Sequence, residues 1–161
     1  TTDNYAIDTI RPTVAAFTMS DTALKIDDTA TVTLQFSEAV ASFSSDDDIT
    51  VQNGSLATMT SSDNITWTGT FTPTSSVEDA TNVLTLATSY TDTAGNAPAS
   101  TSTTDNYTVD TTAATVVAFT LSDSALKIGD TATVTLQFSE AVAGFSSDDD
   151  VTVQNLSLIH I

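Results

Sequence analysis

Residues 31–36, TVTLQF, and residues 65–72, ITWTGTFT, decide the fold. In the first, Val32, Leu34 and Phe36 alternate with Thr31, Thr33 and Gln35. In the second, Ile65, Trp67 and Phe71 alternate with threonines, and Gly69 falls on the apolar side. A period of two buries one face of a β-strand and wets the other. Weaker strand signals cover 14–19, 49–52, 56–60, 83–90 and 106–109. Turn pairs fall at Asp27-Asp28, Asn53-Gly54, Asp63-Asn64 and Gly95-Asn96, residue types that favour tight turns. No segment sustains a helical period. Seven short strands in about 100 residues match an immunoglobulin-like β-sandwich, so the fold class is all-β. Trp67 reads as a core residue of that sandwich.

TVTLQF occurs twice, at 31–36 and at 133–138, because the chain contains an internal repeat. Residues 1–53 and 103–155 are identical at 42 of 53 positions with an offset of 102. That period suits a whole domain rather than one turn of a solenoid. The expected organisation is the end of a preceding repeat at 1–7, a complete domain at 8–109, and the truncated first half of the next at 110–155. The opening TTDNYAID, without methionine, reads as an internal piece. Repeat similarity stops at Leu156. Residues 156–161, LSLIHI, match the translation of a sequencing-adapter end and are set aside from fold reasoning. The single histidine, His160, lies there. The half repeat supplies only three strands, so Phe119, Val134, Leu136 and Phe138 are expected to lack the sheet that would cover them.

Charge narrows the functions. Lys plus Arg number 3 against 21 Asp plus Glu, a net charge of −18, although only 15% of residues are charged. Phosphates would repel such a chain, which argues against nucleic acid and against anionic membrane surfaces. No apolar run reaches the roughly 20 residues of a membrane span, so no membrane insertion is expected. Cysteine is absent, which excludes disulfides and thiolate chemistry. Without cysteine, and with histidine only in the last segment, zinc lacks its usual thiolate and imidazole ligands and a nucleophile lacks a histidine base. A carboxylate pair could serve glycoside hydrolysis, but these acids follow loop ends rather than a cleft. The expectation is that the protein is not an enzyme.

Placed on a seven-strand sandwich, the acids gather at the two ends. Asp8, Glu38, Asp46, Asp47, Asp48, Asp92 and Asn96 fall at the leading end. Asp27, Asp28, Glu78 and Asp79 fall at the trailing end. In a tandem array Asp110, Glu140 and the run 148–150 would meet Glu78 and Asp79 at the seam. Carboxylates so crowded repel unless a hard cation intervenes, and Ca²⁺ takes 6–8 oxygen ligands flexibly. No EF-hand loop pattern is present and short acidic runs are usually just solvated, so the residues alone leave both readings open; Asp8, Glu38, Asp46, Asp47, Asp48, Glu78, Asp79, Asp92, Asn96, Asp110 and Glu140 are the candidate Ca²⁺ ligands.

The stretch from DTIRPTVAAFTMSDTALKIDDTATVTLQFSEAV to the segment ending TSYTDTAGN resembles bacterial Ig-like repeats of giant surface adhesins, FSEAV and DTAGN most specifically. It is similar to the calcium-stabilised extender domains of RTX-type biofilm and ice-binding adhesins. The resemblance covers the whole complete repeat, and departs where Arg11-Pro12 becomes Ala113-Ala114. It implies a Ca²⁺-rigidified spacer on the bacterial cell surface, with neighbouring Ig-like repeats of the same chain as its partners. The alternative is a ligand-binding module for carbohydrate or ice, which the threonines of TWTGTFT invite. Threonine also suits exposed strand positions through β propensity alone.

Overall fold

The computed structural model describes residues 4–154. They form two compact units divided between Thr112 and Ala113. The first contains β1 (Val14–Met19), β2 (Ala23–Lys25), β3 (Ala30–Phe36), β4 (Val40–Ala41), a single helical turn α1 (Ser45–Asp48), β5 (Ile49–Thr50) and β6 (Gly54–Leu56). It continues with β7 (Thr66–Pro73), β8 (Glu78–Asn82), β9 (Thr85–Leu86), β10 (Thr91–Asp92), β11 (Ser102–Thr103) and β12 (Tyr107–Asp110).

The alternating segments lie side by side. β3 is the second strand of an antiparallel sheet ordered β1-β3-β7-β6, with Leu34 opposite Trp67 and Val32 opposite Gly69. This is the A-B-E-D order of an immunoglobulin-like sandwich. Opposite it, β9 pairs with β5 and β11, and β12 pairs with β8 and, in parallel, with β2. Val32, Leu34, Phe36 and Phe71 from one sheet meet Leu84, Leu86, Tyr107 and Val109 from the other, all buried. Each inward residue of β3 is buried while Thr31 and Gln35 are exposed. That is the pattern two facing sheets require. Trp67 is only half-buried, its ring edge-on to Phe43 at 4.9 Å.

The four expected turns all contain a residue in the left-handed region: Asp27 (φ 67°), Asn53 (48°), Asn64 (58°) and Gly95 (92°). Ser42 (φ 61°) adds another that the sequence pattern did not mark. The second copy carries glycine at the equivalents of Asp27 and Ser42, Gly129 (φ 91°) and Gly144 (φ 77°), where glycine meets no Cβ clash. Glu78 and Asp79, expected in a loop, sit in β8 instead. That strand is apolar-poor and is held by its pairing with β12.

Gly54 is required for a different reason. A Cβ there would lie 2.1 Å from Phe71 Cζ and 2.8 Å from the Thr72 carbonyl oxygen. Gly54→Ala should therefore destabilise the unit by about 1–3 kcal/mol, as overpacking does. Urea unfolding checks this, and an unchanged midpoint would contradict it.

The second unit contains β13 (Val116–Leu121), β14 (Val134–Phe138) and the turn α2 (Ser147–Asp150). β13 pairs with β14 in the same register as β1 with β3, shifted by the repeat and with the same bulge. Its inward-type residues are less covered than their counterparts: Phe119 is 59% exposed against 7% for Phe17 and Val134 is exposed, while Leu136 and Phe138 are half-buried. Residues 156–161 lie outside the described residues.

Candidate metal centre

Glu38 lies in the turn that links β3 to β4, and β4 pairs with β10 so that Asp92 stands opposite Val40. This long-range pairing carries Asp92 to Glu38. The N-terminal segment then brings in Asp8, whose Oδ1 accepts the Ile10 N–H at 3.0 Å and whose carbonyl accepts Asn96 Nδ2 at 3.2 Å. Carboxylate oxygens of Asp8, Glu38 and Asp92 all lie within 4.8 Å of one another. Asp8 is exposed, Glu38 half-buried and Asp92 buried.

The loop 92–96 folds around its own aspartate. Asp92 Oδ1 accepts the backbone N–H groups of Ala94 and Asn96, both at 2.8 Å, and Oδ2 accepts Asn96 Nδ2 at 2.8 Å. Burial works to raise the Asp92 pKa, but the hydrogen bonds from Asn96, Ala94 and Gly95 outweigh it and hold it below the usual 3.8. Glu38 moves the other way. Loss of water, followed by the charges of Asp8 and Asp92, raises it above its ordinary 4.5.

These opposite shifts give the sign of each group's contribution to stability as pH changes, and Asp63, held low by the Thr66 and Ile65 N–H groups, acts in the same sense as Asp92. A raised Glu38 pKa means that the folded state binds its proton more tightly than the unfolded state. Stability should therefore rise as pH is lowered from neutral toward 4.5. A lowered Asp92 pKa contributes stability above 3.8 that is lost as pH falls further. Melting temperatures between pH 3 and 8 should pass through a maximum on the acid side of neutrality, and Glu38→Gln should flatten the limb above it. A steady fall from pH 7 downward would contradict this.

The remaining candidates are placed elsewhere. Asp46, Asp47 and Asp48 form α1. Asp46 accepts Thr58 Oγ1 at 3.0 Å, Asp47 is exposed, and the buried Asp48 accepts the Ser44 N–H at 2.9 Å and the Ser89 hydroxyl. Asp79 accepts Asn53 Nδ2 at 2.8 Å and the Thr81 N–H at 2.9 Å. The buried Asn82 extends that network, taking Asn53 Nδ2 at 2.7 Å and donating to the Tyr107 carbonyl at 3.1 Å. Asn53 and Asn82 were not candidates on sequence, and the Asn53-Gly54 turn pair was the only local signal at Asn53. Asp110 stands in β12 between Glu78 on one neighbouring strand and Lys25 on the other. Glu140 follows β14 as Glu38 follows β3, and is half-buried.

A β1-β3-β7-β6 sheet in A-B-E-D order, faced across one buried apolar core by the shorter pairings β11-β9-β5 and β2-β12-β8, defines an immunoglobulin-like module. The chain belongs to the bacterial Ig-like domain family, whose pattern matches it twice, over residues 8–109 and 110–160. The family is typically non-catalytic and commonly surface-exposed. Searches of curated proteins and of solved structures gave no match. Among the described residues, no helix is long and apolar enough to cross a membrane.

Proposed function

We propose that the chain is a spacer in the stalk of a bacterial cell-surface adhesin, similar to the extenders of RTX-type adhesins, stiffened by Ca²⁺ and without catalysis. The observation that carries this reading is the convergence of Asp8, Glu38 and Asp92 from three distant parts of the sequence. An all-oxygen donor set suits Ca²⁺ and not zinc. These residues would hold the ion, and Asn96 orients two of them through Asp8 and Asp92. The ion would tie the N-terminal segment to the loops at the leading end, where a preceding repeat of the same chain connects.

The threonine face supports the second reading, binding of carbohydrate or ice. Thr18, Thr33 and Thr68 stand in one row across β1, β3 and β7, and Thr68 also lines a shallow trough with Thr31, Thr58, Thr60, Thr70, Ala57 and Gly69. Sugar recognition ordinarily adds an exposed aromatic ring beside the polar face; Tyr90 and Tyr107 are buried and Trp67 packs on Phe43, while the exposed Tyr5 lies in the N-terminal segment and is not among the residues that line the trough.

A protein of two complete repeats distinguishes the readings by small-angle scattering. A spacer should give a maximum dimension close to twice that of one repeat in Ca²⁺ and a broader distance distribution without it. A pair folded back on itself in Ca²⁺ would overturn the spacer reading and favour a ligand-clasping module.

A further inference from the structure

Asn53 is the one asparagine in the chain followed by glycine. The pairing matters chemically because the backbone nitrogen after an asparagine is a nucleophile within reach of its side-chain carboxamide, and glycine, without Cβ, leaves the approach unobstructed. The pair stands where a turn runs into β6, with Asn53 in the left-handed region at φ 48°. Both residues are half-buried. The Asn53 carbonyl accepts the Thr74 N–H at 2.9 Å, and the Ala57 N–H donates to the Thr70 carbonyl at 2.8 Å. Alternate residues of an antiparallel strand bond to one neighbour. In this register the Gly54 N–H therefore points away from β7.

The carboxamide, not the nucleophile, is what the fold ties down. Asn53 Nδ2 donates to Asp79 Oδ2 at 2.8 Å and to Asn82 Oδ1 at 2.7 Å. Asn82 is only 1% exposed, and its own Nδ2 donates to the carbonyls of Asp79 at 3.0 Å and Tyr107 at 3.1 Å. Those two bonds fix its amide, so its Oδ1 faces Asn53 and is satisfied there only by a donor. Asp79 and Asn82 both belong to β8. The nitrogen that joins β8 to the start of β6 is thus the same atom that would leave if Gly54 attacked.

We propose that Asn53 is a site of spontaneous deamidation that the folded first unit holds closed and unfolding opens. The Gly54 nitrogen loses its proton to solvent base and attacks Asn53 Cγ. The N–Cγ bond forms, the Cγ–Nδ2 bond breaks, and Nδ2 takes a proton from water and leaves as ammonia. Water then opens the succinimide. Cleavage of N–Cγ gives aspartate. Cleavage between that nitrogen and the Asn53 backbone carbonyl carbon gives isoaspartate, whose main chain is longer by one methylene. Aspartate puts a carboxylate where the donor stood, against the Asp79 carboxylate and the Asn82 oxygen. Like charge and an unpaired buried acceptor both cost stability. Isoaspartate also lengthens the chain ahead of Ser55 and Leu56, which pair with Thr72 and Phe71. A unit modified while unfolded therefore refolds weaker, and the unfolding is recorded as a permanent covalent change. The proposal depends neither on calcium nor on the spacer reading.

The test incubates the intact chain at mildly alkaline pH, in buffer and in urea, and follows each asparagine by peptide mass spectrometry for exchange of ammonia for water and for isoaspartate. Asn53 should react at least about tenfold faster in urea than in buffer, because a reaction through an opened state tracks the population of that state. In urea, where the fold does not enter, Gly54→Ala should slow the reaction at Asn53 to the rate of the other asparagines, through the added Cβ. Asn53→Asp, which writes the product into the chain, should unfold at lower urea than the parent. Equal rates in buffer and urea would overturn the closure by the fold. Reaction at Asn53 no faster than at other asparagines in urea would overturn the site. An Asn53→Asp chain as stable as the parent would overturn the permanent weakening.

Discussion

Phe71→Ala should remove about 3–5 kcal/mol from the first unit, the range for truncating a buried phenylalanine. Phe71 is fully buried in β7, its ring lies 5.2 Å from Tyr107 at 67°, and Gly54 is the surface against which it rests. It thus joins both sheets and the edge strand at one point. Domains of this size have total stabilities of about 5–15 kcal/mol, so the variant should unfold at much lower urea and melt at least about 12 °C lower. The same truncation at Phe119, largely open to water in the second unit, should change stability by less than about 1 kcal/mol. Comparable losses at the two positions in urea titrations would contradict this description of the core.

Calcium should have the next largest effect. An ion bound only by the folded state stabilises it by about 2.7 kcal/mol at a hundredfold excess over Kd. With an affinity near that of extracellular calcium modules, about 10⁻⁴ M, that excess is reached at about 10 mM. The midpoint of thermal unfolding should then rise by about 10–20 °C relative to chelator. Asp8→Asn is the cleanest control: Asp8 is exposed, and an asparagine oxygen still accepts the Ile10 N–H. It should leave the chelated midpoint nearly unchanged and remove most of the rise. Equal midpoints with and without Ca²⁺ in the parent protein would sink the calcium proposal.

The architecture was legible where burial writes itself into a period. β3 and β7 alternate over enough residues to specify a face, and they are the two central strands of their sheet. Asp27, Asn53, Asn64 and Gly95 announced turns because few other residues tolerate a left-handed backbone cheaply. Short strands left no such trace. β4 and β10 are two residues each and exist through pairing with one another across the sequence, which periodicity cannot register. Mapping loops to one end of a sandwich was enough to group Asp8, Glu38, Asp92 and Asn96. The run 46–48 shared that end but not that site, because Asp48 turns inward to the Ser44 N–H and Ser89 and Asp46 turns to Thr58. Apart from the Ser44 bond four residues away, these hydrogen bonds depend on partners 12 and 41 residues distant in sequence.

Everything proposed for the leading end rests on whether three carboxylates share one ion. Calorimetric titration of the intact chain with CaCl₂, beside Asp92→Asn, reads this most directly. The backbone N–H groups of Asn96 and Ala94 keep an acceptor in that variant, while the Asn96 Nδ2 hydrogen bond and one ligand charge are lost. The expected result is a saturable binding event in the range of about 10⁻⁴–10⁻³ M, weakened at least about tenfold by Asp92→Asn. Absence of saturable binding in the parent chain, or unchanged binding in the variant, would contradict a calcium centre at Asp8, Glu38 and Asp92.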